Sequence, residues 1–189
     1  LTEEIQNLAQ TAYENYELYE SNCDYGVDTS FNCGSDSGIR SWDYMLNYSW
    51  GVTCDDLNIP QSIEFVSDKT GEFSGTRLTQ TGAGNSNLQL TNLSPIPIGT
   101  NYVLNGVHNY SGSQELLIRN QSLTLTAEMD LTNVEITKTT FEIVNGSGSF
   151  TIVATGGSGI SETIEGNIVF LGNGKAEVTI NGETFTISI

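Results

Sequence analysis

The chain has 189 residues, of which 37% are hydrophobic and only 15% are charged. Since a domain usually holds about 100–200 residues, this length predicts one domain, or one domain with an appendage. The 23 acidic residues against 6 basic residues give a net charge of −17, which repels nucleic-acid phosphates and anionic lipid headgroups. No apolar run approaches the ~18 residues that a transmembrane helix needs. We therefore expect no nucleic-acid binding and no transmembrane span.

Residues 1–22 show the spacing of an amphipathic helix. Six apolar or aromatic residues recur at intervals of three and four, namely Leu1, Ile5, Leu8, Ala12, Tyr16 and Tyr19. Thr2 can cap this helix, and Glu3 and Glu4 lie where the helix dipole favours acidic groups. Because an apolar stripe must be covered, we expect the helix to pack on the rest of its own domain, with a partner protein as the alternative.

The three cysteines, Cys23, Cys33 and Cys54, all lie in the first third of the chain. Cys23 and Cys33 flank a polar, loop-like stretch, so we expect these two to form a disulfide, with a Cys33 to Cys54 bond or three free thiols as the alternatives. The absence of a C-x-x-C motif or a Cys/His cluster argues against zinc. A disulfide predicts secretion, and a start at Leu1 without a leader segment predicts a processed product.

Residues 23–60 differ in composition from the remainder and contain both tryptophans and all three cysteines. We expect this acidic region to be irregular. The sequence therefore predicts two parts. Residues 1–62 form a helix plus an acidic segment bearing the cysteines and tryptophans, and residues 63–189 form an antiparallel β-meander domain.

The segment 164–189 carries the clearest strand signal. Apolar residues alternate with polar ones on both sides of Asn181-Gly182, a dipeptide that favours a two-residue hairpin turn since both positions adopt positive φ. Such a turn places the apolar residues of both strands on one face, with Ile180 opposite Glu183 and Val178 opposite Phe185.

Weaker alternating runs extend back to Ile63, with Asn145-Gly146 and Gly156-Gly157 as breakers at expected hairpin turns. No segment of helical period interrupts them. The predicted fold class is mainly β, an antiparallel meander or sandwich of about ten or more short strands with one N-terminal helix.

One stripe of aromatic residues stands apart from the rest of the sequence. On a strand, the alternating residues Trp42, Tyr44, Leu46, Tyr48 and Trp50 would share one face, although a helix is an alternative for this segment. Buried, the stripe would form a small core. Exposed, Trp42, Tyr44, Tyr48 and Trp50 would form a platform for stacking sugars or for a protein partner.

The sequence offers little catalytic or metal-binding chemistry. His108 is the single histidine, and no nucleophile elbow, phosphate loop or dinucleotide fingerprint is present. We therefore predict a protein that is not an enzyme and has no cofactor. Calcium is the one ion with candidate ligands, because four acids lie beside Gly-bearing polar segments, namely Asp24, Asp28, Asp55 and Asp56. A solvated acidic surface is the alternative.

The stretches 101–106 and 110–113, together with 165–170 and 172–182, resemble β-meander proteins that Bacteroidota export to the cell surface, many of them lipoproteins. The resemblance covers roughly residues 54–189 and implies an exported protein at the outer-membrane surface, without an assigned catalytic residue. The leading functional hypothesis is a non-enzymatic extracellular protein, a structural, adhesive or accessory subunit of a surface assembly. The second is a carbohydrate-binding module that uses the aromatic stripe, and the third is a glycoside-processing enzyme.

The last strand, over residues 184–189, contains no proline and no lysine to block its outer edge. This edge and the apolar stripe of the N-terminal helix are two surfaces that need covering. We expect them to complete each other within the chain, and protein partners or self-assembly at the cell surface are the alternative.

Overall fold

The computed structural model describes residues 2–23, 25–94 and 101–189, with side chains from residue 5 onward. The chain begins with two helices, α1 (Thr2–Glu14) and α2 (Tyr16–Ser21). Within the described residues ten strands follow: β1 (Gly26–Asp36), β2 (Ser41–Cys54), β3 (Pro60–Ser74), β4 (Leu78–Thr91), β5 (Tyr102–Leu116), β6 (Gln121–Ile136), β7 (Ile143–Gly156), β8 (Ser161–Gly172), β9 (Lys175–Ile180) and β10 (Glu183–Ser188).

The ten described strands form one antiparallel sheet in which every strand pairs with its neighbours in sequence, in the order β1 to β10. Strands account for 69% of the chain, so the prediction of a mainly β, antiparallel meander with an N-terminal helix is confirmed. The strands are longer than expected, however, and β6 alone spans 16 residues. Several runs that the sequence separates into short strands are continuous.

The expectation of an irregular segment over residues 23–60 is wrong. β1 and β2 form a long hairpin within this segment, and β2 pairs with β3 from Ser41 to Cys54. The sequence of β1 shows little alternation of apolar and polar residues, because β1 is an edge strand and most of its side chains are exposed and polar. β3 spans Pro60–Ser74, so the sheet continues through the boundary that we placed between residues 62 and 63.

The turn predictions succeed in two places and fail in a third. The 181–182 turn gives the expected register, with Ile180 opposite Glu183 and Val178 opposite Phe185. Residues 156–157 also begin a turn, since the N–H of Gly156 donates to the Ile160 carbonyl at 2.9 Å. Asn145-Gly146, by contrast, lies inside β7 beside an irregularity in its pairing with β6. Gly146 has a φ of 124°, which only glycine adopts easily, so it shapes a bulge and does not end the strand.

The helices pack on one face of the sheet, as expected. Ile5, Leu8, Ala12 and Tyr19 of the predicted stripe are buried, and Tyr16 packs at the margin of the core. The helix is interrupted at Asn15, whose side chain donates to the Thr11 carbonyl at 2.8 Å. Leu1 and the side chains of residues 2–4, including the predicted cap, lie outside the described residues. The sheet contributes the rest of the core, chiefly Val52, Ile63, Leu88, Leu90, Leu93, Tyr102, Leu104, Leu131, Val134, Ile136, Ile143, Ile168, Phe170 and Ala176.

Both pairings considered for the disulfide are wrong, because Cys23 is bonded to Cys54 and Cys33 is a free thiol. β1 starts at Gly26 next to the helices and runs away from them, so Cys33 lies roughly 23 Å along the strand. Cys54 ends β2, which returns to the helices. The disulfide therefore joins the end of the helical segment to the sheet.

Candidate functional site

The two faces of the sheet have opposite chemistry. Leu90 lies opposite Ile63 on β3 and Leu104 on β5, and these residues share the face on which the helices pack, called here the apolar face. The polar face carries acids, amides and hydroxyls that pair across strands. Thr81 and Ser113 are hydrogen-bonded at 2.8 Å, and Asn109 donates to Asn85 at 3.0 Å. This alternation is typical of an antiparallel sheet with one face in contact with water.

The helices cover only part of the apolar face. We call the part that packs with them the covered half, which includes Leu90, Tyr102 and Ile136, and the remainder the open half. In the open half several large side chains stay exposed, including Phe31, Trp42, Leu116, Leu123 and Phe185.

The total accessible surface shows the same lack of cover. The chain exposes 11281 Å². A compact protein of its 20.4 kDa mass would expose about 8,800 Å². A large part of the sheet is therefore a single layer with an accessible apolar side.

The predicted aromatic stripe lies on strand β2, and the helical alternative for this segment is wrong. Its five members face the helix side, as the opposition of Trp50 to Phe65 and of Trp42 to Phe73 shows. The stripe crosses from one half to the other. Trp50 packs in the covered half, with ring centroids 5.6 Å from Tyr19 and 5.4 Å from Tyr25.

The outer end of the stripe belongs to the open half. Tyr48 lies between the two ends and stacks obliquely on Phe65 at 6.2 Å. Trp42 is 44% exposed. The four predicted platform residues are thus divided between core and surface, with Trp42 and Tyr44 on the open side.

Trp42 and Tyr44 border a depression in the open half, which we call the aromatic cleft. It has a volume of about 490 Å³, within the ~300–1,000 Å³ usual for small-molecule sites. Its lining combines four aromatic rings, a glycine floor and three polar residues. The rings are those of Trp42, Tyr44, Phe73 and Tyr110, the glycine floor consists of Gly71, Gly82 and Gly84, and the polar residues are Lys69, Gln80 and His108.

The glycine floor determines how the Tyr110 ring lies. A methyl group at Gly82 would come within 2.9 Å of the Tyr110 hydroxyl oxygen, and one at Gly112, on the neighbouring strand, would overlap that hydroxyl and come within 2.9 Å of the Tyr110 Cζ. The ring therefore occupies space that side chains at these positions would fill, against the backbone of the sheet. An aromatic ring held in this way is a flat, preorganised surface for a ligand.

The polar wall of the cleft is also ordered. His108 Nδ1 lies 2.8 Å from the hydroxyl of Ser86, which is 1% exposed. Its imidazole is therefore fixed by a buried partner at the border between the covered and open halves. Lys69 lies beside Gly84, where a methyl group would approach its Cε to 3.3 Å. The cleft thus presents hydrogen-bonding groups beside aromatic faces.

The described residues that we predicted as calcium ligands lie on β1 and in the turn between β2 and β3. Asp24 lies outside the described residues, and Asp28 is on the polar face of β1. Asp55 accepts N–H groups from Leu57 and Ile59, each at 2.9 Å, so one of its carboxylate oxygens holds the turn between β2 and β3. Asp56 is exposed in the same turn. In the described part of the chain, no three His, Cys, Asp or Glu side chains come close enough to hold a metal ion.

We predicted Trp42 and Tyr44 as site residues from the sequence, but we did not predict that Phe73, Tyr110 and the glycine floor would join them in the cleft. A usable signal was present, because glycines at 71, 82, 84 and 112 interrupt strands whose other positions alternate. A glycine inside a strand often marks a site where another group approaches the backbone closely. Identifying Tyr110 as that group requires the pairing register.

Comparison with known proteins gives no match to any protein-family model, curated protein or solved structure. Neither of the two described helices is long and apolar enough to cross a membrane. The Cys23–Cys54 disulfide indicates an oxidising, extracellular environment.

Proposed function

We propose that this protein is a non-enzymatic adhesive or accessory protein of the cell surface that binds neutral carbohydrate in its aromatic cleft. The observation that carries the proposal is the set of four rings around a glycine floor in the open half of the sheet. The disulfide supports an extracellular location, and the resemblance to exported Bacteroidota β-meander proteins supports the outer-membrane surface.

Carbohydrate fits this cleft because a sugar ring has both an apolar C–H face and a rim of hydroxyl groups. Trp42 and Tyr110 offer flat apolar area, while Lys69, Gln80 and His108 can hydrogen-bond to hydroxyls. The net charge of −17 disfavours anionic glycans, so we expect a neutral one.

A structural role in a surface assembly is the second candidate, and a different part of the open half favours it. Away from the cleft, on β6–β10, the apolar face carries mainly aliphatic side chains, including Leu125, Ile152, Ile164 and Ile180. Residues of this kind pack against other apolar surfaces and offer nothing to sugar hydroxyls. A protein partner over this region would leave the cleft accessible.

A glycan array on the purified protein, followed by fluorescence titration of the sugars that bind, tests the carbohydrate proposal. Tyr110→Ala and Trp42→Ala each remove one wall of the cleft, and we expect each to weaken binding at least about tenfold, or about 1.4 kcal/mol. Phe150→Ala is the matched control, because the Phe150 ring lies over Gly166 on the same face but belongs to β7, outside the cleft.

Two results would contradict the proposal. One is an array with no neutral glycan bound. The other is sugar binding that the three variants affect equally. Incubation of each bound glycan with the protein, followed by product analysis, tests the non-enzymatic part, since a glycan that is cleaved would identify an enzyme.

A further inference from the structure

Strand β10 forms one edge of the sheet of described strands. It pairs with β9, and no other described strand pairs with its outer edge. All six of its residues are exposed, and only Glu183 is charged. Its apolar side chains, Phe185 and Ile187, point to the same face as the aromatic cleft.

The direction of the backbone groups along β10 follows from its hairpin. In a two-residue hairpin the residues next to the turn exchange hydrogen bonds, so Glu183 and every second residue after it face β9. Consistent with this, the N–H of Ile189 donates to the Gly174 carbonyl at 3.0 Å. The N–H and C=O groups of Thr184, Thr186 and Ser188 therefore point to the outer edge.

We propose that a second copy of this chain pairs with that edge, antiparallel and centred on Thr186, so that the two sheets become continuous. In this register Thr186 lies opposite Thr186 of the second copy, Thr184 opposite its Ser188, and Phe185 opposite its Ile187. About six main-chain hydrogen bonds form, two at each outward pair. Hydroxyl pairs then line one face and aromatic–β-branched pairs the other, and both are favourable cross-strand combinations.

The charges on the two edges of the sheet favour β10 over β1 for this contact. In full-length antiparallel self-pairing of β1, Asp28 would lie opposite Gly34 of the second copy and diagonally next to its Asp36, about 7–8 Å away, where like charges still repel at 0.1 M salt. In the β10 register the two Glu183 side chains are roughly 20 Å apart, beyond the ~10 Å Debye length at 0.1 M salt. Self-pairing of β10 therefore keeps the acidic side chains of the two strands apart.

The symmetry of this contact has a consequence for the cleft. A two-fold axis perpendicular to a continuous sheet keeps both apolar faces on the same side, so both aromatic clefts point in one direction. If the proposed carbohydrate function holds, the dimer is bivalent for a glycan-coated surface. Two six-residue edges bury less than the ~1,000 Å² of a stable interface, so we expect a weak dimer with Kd of about 1–100 μM.

Sedimentation equilibrium over a range of protein concentrations is the first test. Thr186→Pro removes an outward N–H at the centre of the contact, and a proline is tolerated on an edge strand where the N–H faces solvent. We expect this variant to weaken dimerisation at least about tenfold. Asn32→Pro is the matched control, because it makes the same change at an outward position of β1. Raising salt from about 0.05 M to about 0.5 M should strengthen the dimer by screening the negative charges.

Cysteine cross-linking with diamide tests the register, in a Cys33→Ser background. Thr186→Cys should cross-link the dimer, since two directly opposed residues lie about 5.5 Å apart, within the ~4.4–6.8 Å range of disulfides. Thr184→Cys should not, because the two copies of residue 184 lie roughly 13 Å apart.

Three results would overturn the proposal. They are a monomer at all concentrations, a dimer that Thr186→Pro leaves intact, and equal cross-linking at positions 184 and 186. None of these measurements involves a glycan, so failure of the dimer and failure of the carbohydrate site are distinguishable.

Discussion

The covered and open halves of the sheet share the same ten strands but are held together differently. Beneath the helices, Leu88, Leu90 and Leu104 are fully buried in a core built from sheet and helix. In the open half, the apolar face has no second layer among the described residues, and Trp42 is 44% exposed. One continuous sheet thus combines a region with a buried core and a region whose apolar side is accessible.

The open half nevertheless has local sources of order. Tyr110 lies against the backbone at Gly82 and Gly112. The polar face adds cross-strand side-chain hydrogen bonds, such as Thr155 to Ser161 at 2.7 Å. Each such pair contributes only about 0.2–1 kcal/mol, much less than a buried leucine. We infer that the covered half supplies most of the folding free energy and that the open half depends on it.

Truncating one leucine in each half tests this inference most strongly. Leu90 and Leu78 lie on the same strand and the same face, but Leu90 is 0% exposed beneath the helices while Leu78 is half-buried at the opposite end. We expect Leu90→Ala to lower the free energy of unfolding by about 2–5 kcal/mol because it leaves a cavity. Leu78→Ala should cost less than about 1 kcal/mol in the same urea titration. Similar losses in the two variants would contradict the division into halves.

The disulfide provides a second comparison between the halves. Cys23–Cys54 closes a loop with a sequence separation of 31, and replacing both cysteines by serine should cost about 3–4 kcal/mol in the chain-entropy model. Cys33→Ser alters the free thiol on β1 and should leave the melting temperature nearly unchanged. A drop in melting temperature for Cys33→Ser as large as that for the double variant would show that the open half carries more of the stability.

Alkaline pH should weaken the covered half through its buried tyrosines. Burial, with smaller contributions from Tyr13 and Tyr16, raises the pKa of Tyr102 to about 12 from its usual 10.0. Between these values the folded state keeps a proton that the unfolded chain has lost, so stability is full below pH 10 and falls as pH rises. We expect a loss of about 2 kcal/mol by pH 12, measured by urea unfolding, and a smaller loss in Tyr102→Phe. An equal loss in the variant would exclude Tyr102 as its source.

Most of the fold could be predicted from local patterns. Alternation around Asn181-Gly182 fixed both the turn and its register, since the turn type and the apolar face impose the same pairing. The i, i+3 and i+4 spacing of Ile5, Leu8 and Ala12 identified the buried side of the helix.

The errors occur where local pattern and position in the sheet disagree. β1 resembles a loop in sequence because an edge strand can be polar on both faces. Gly146 resembles a turn residue because bulges and turns both use positive φ. The partner of Cys23 could not be derived from loop length, since Cys54 approaches it only through the pairing of β1 with β2.

The site was predictable in part. The aromatic stripe on β2 was visible, but which of its members the helices cover depends on how far they extend along the sheet. Phe73 and Tyr110 join the cleft through the register of β3, β4 and β5, which nothing near them in sequence determines.

Acrylamide quenching of two single-tryptophan variants tests whether the helices cover one half of the apolar face and leave the other accessible, because the two tryptophans lie on one strand and one face but in different halves. Trp50→Phe leaves Trp42 in the open half, and Trp42→Phe leaves Trp50 packed against Tyr19 and Tyr25. Pairing of a second copy at β10 would not cover either residue. We expect red-shifted, readily quenched emission from Trp42 and blue-shifted, protected emission from Trp50. Equal protection of both tryptophans would contradict the division into halves, since the open half would then be covered.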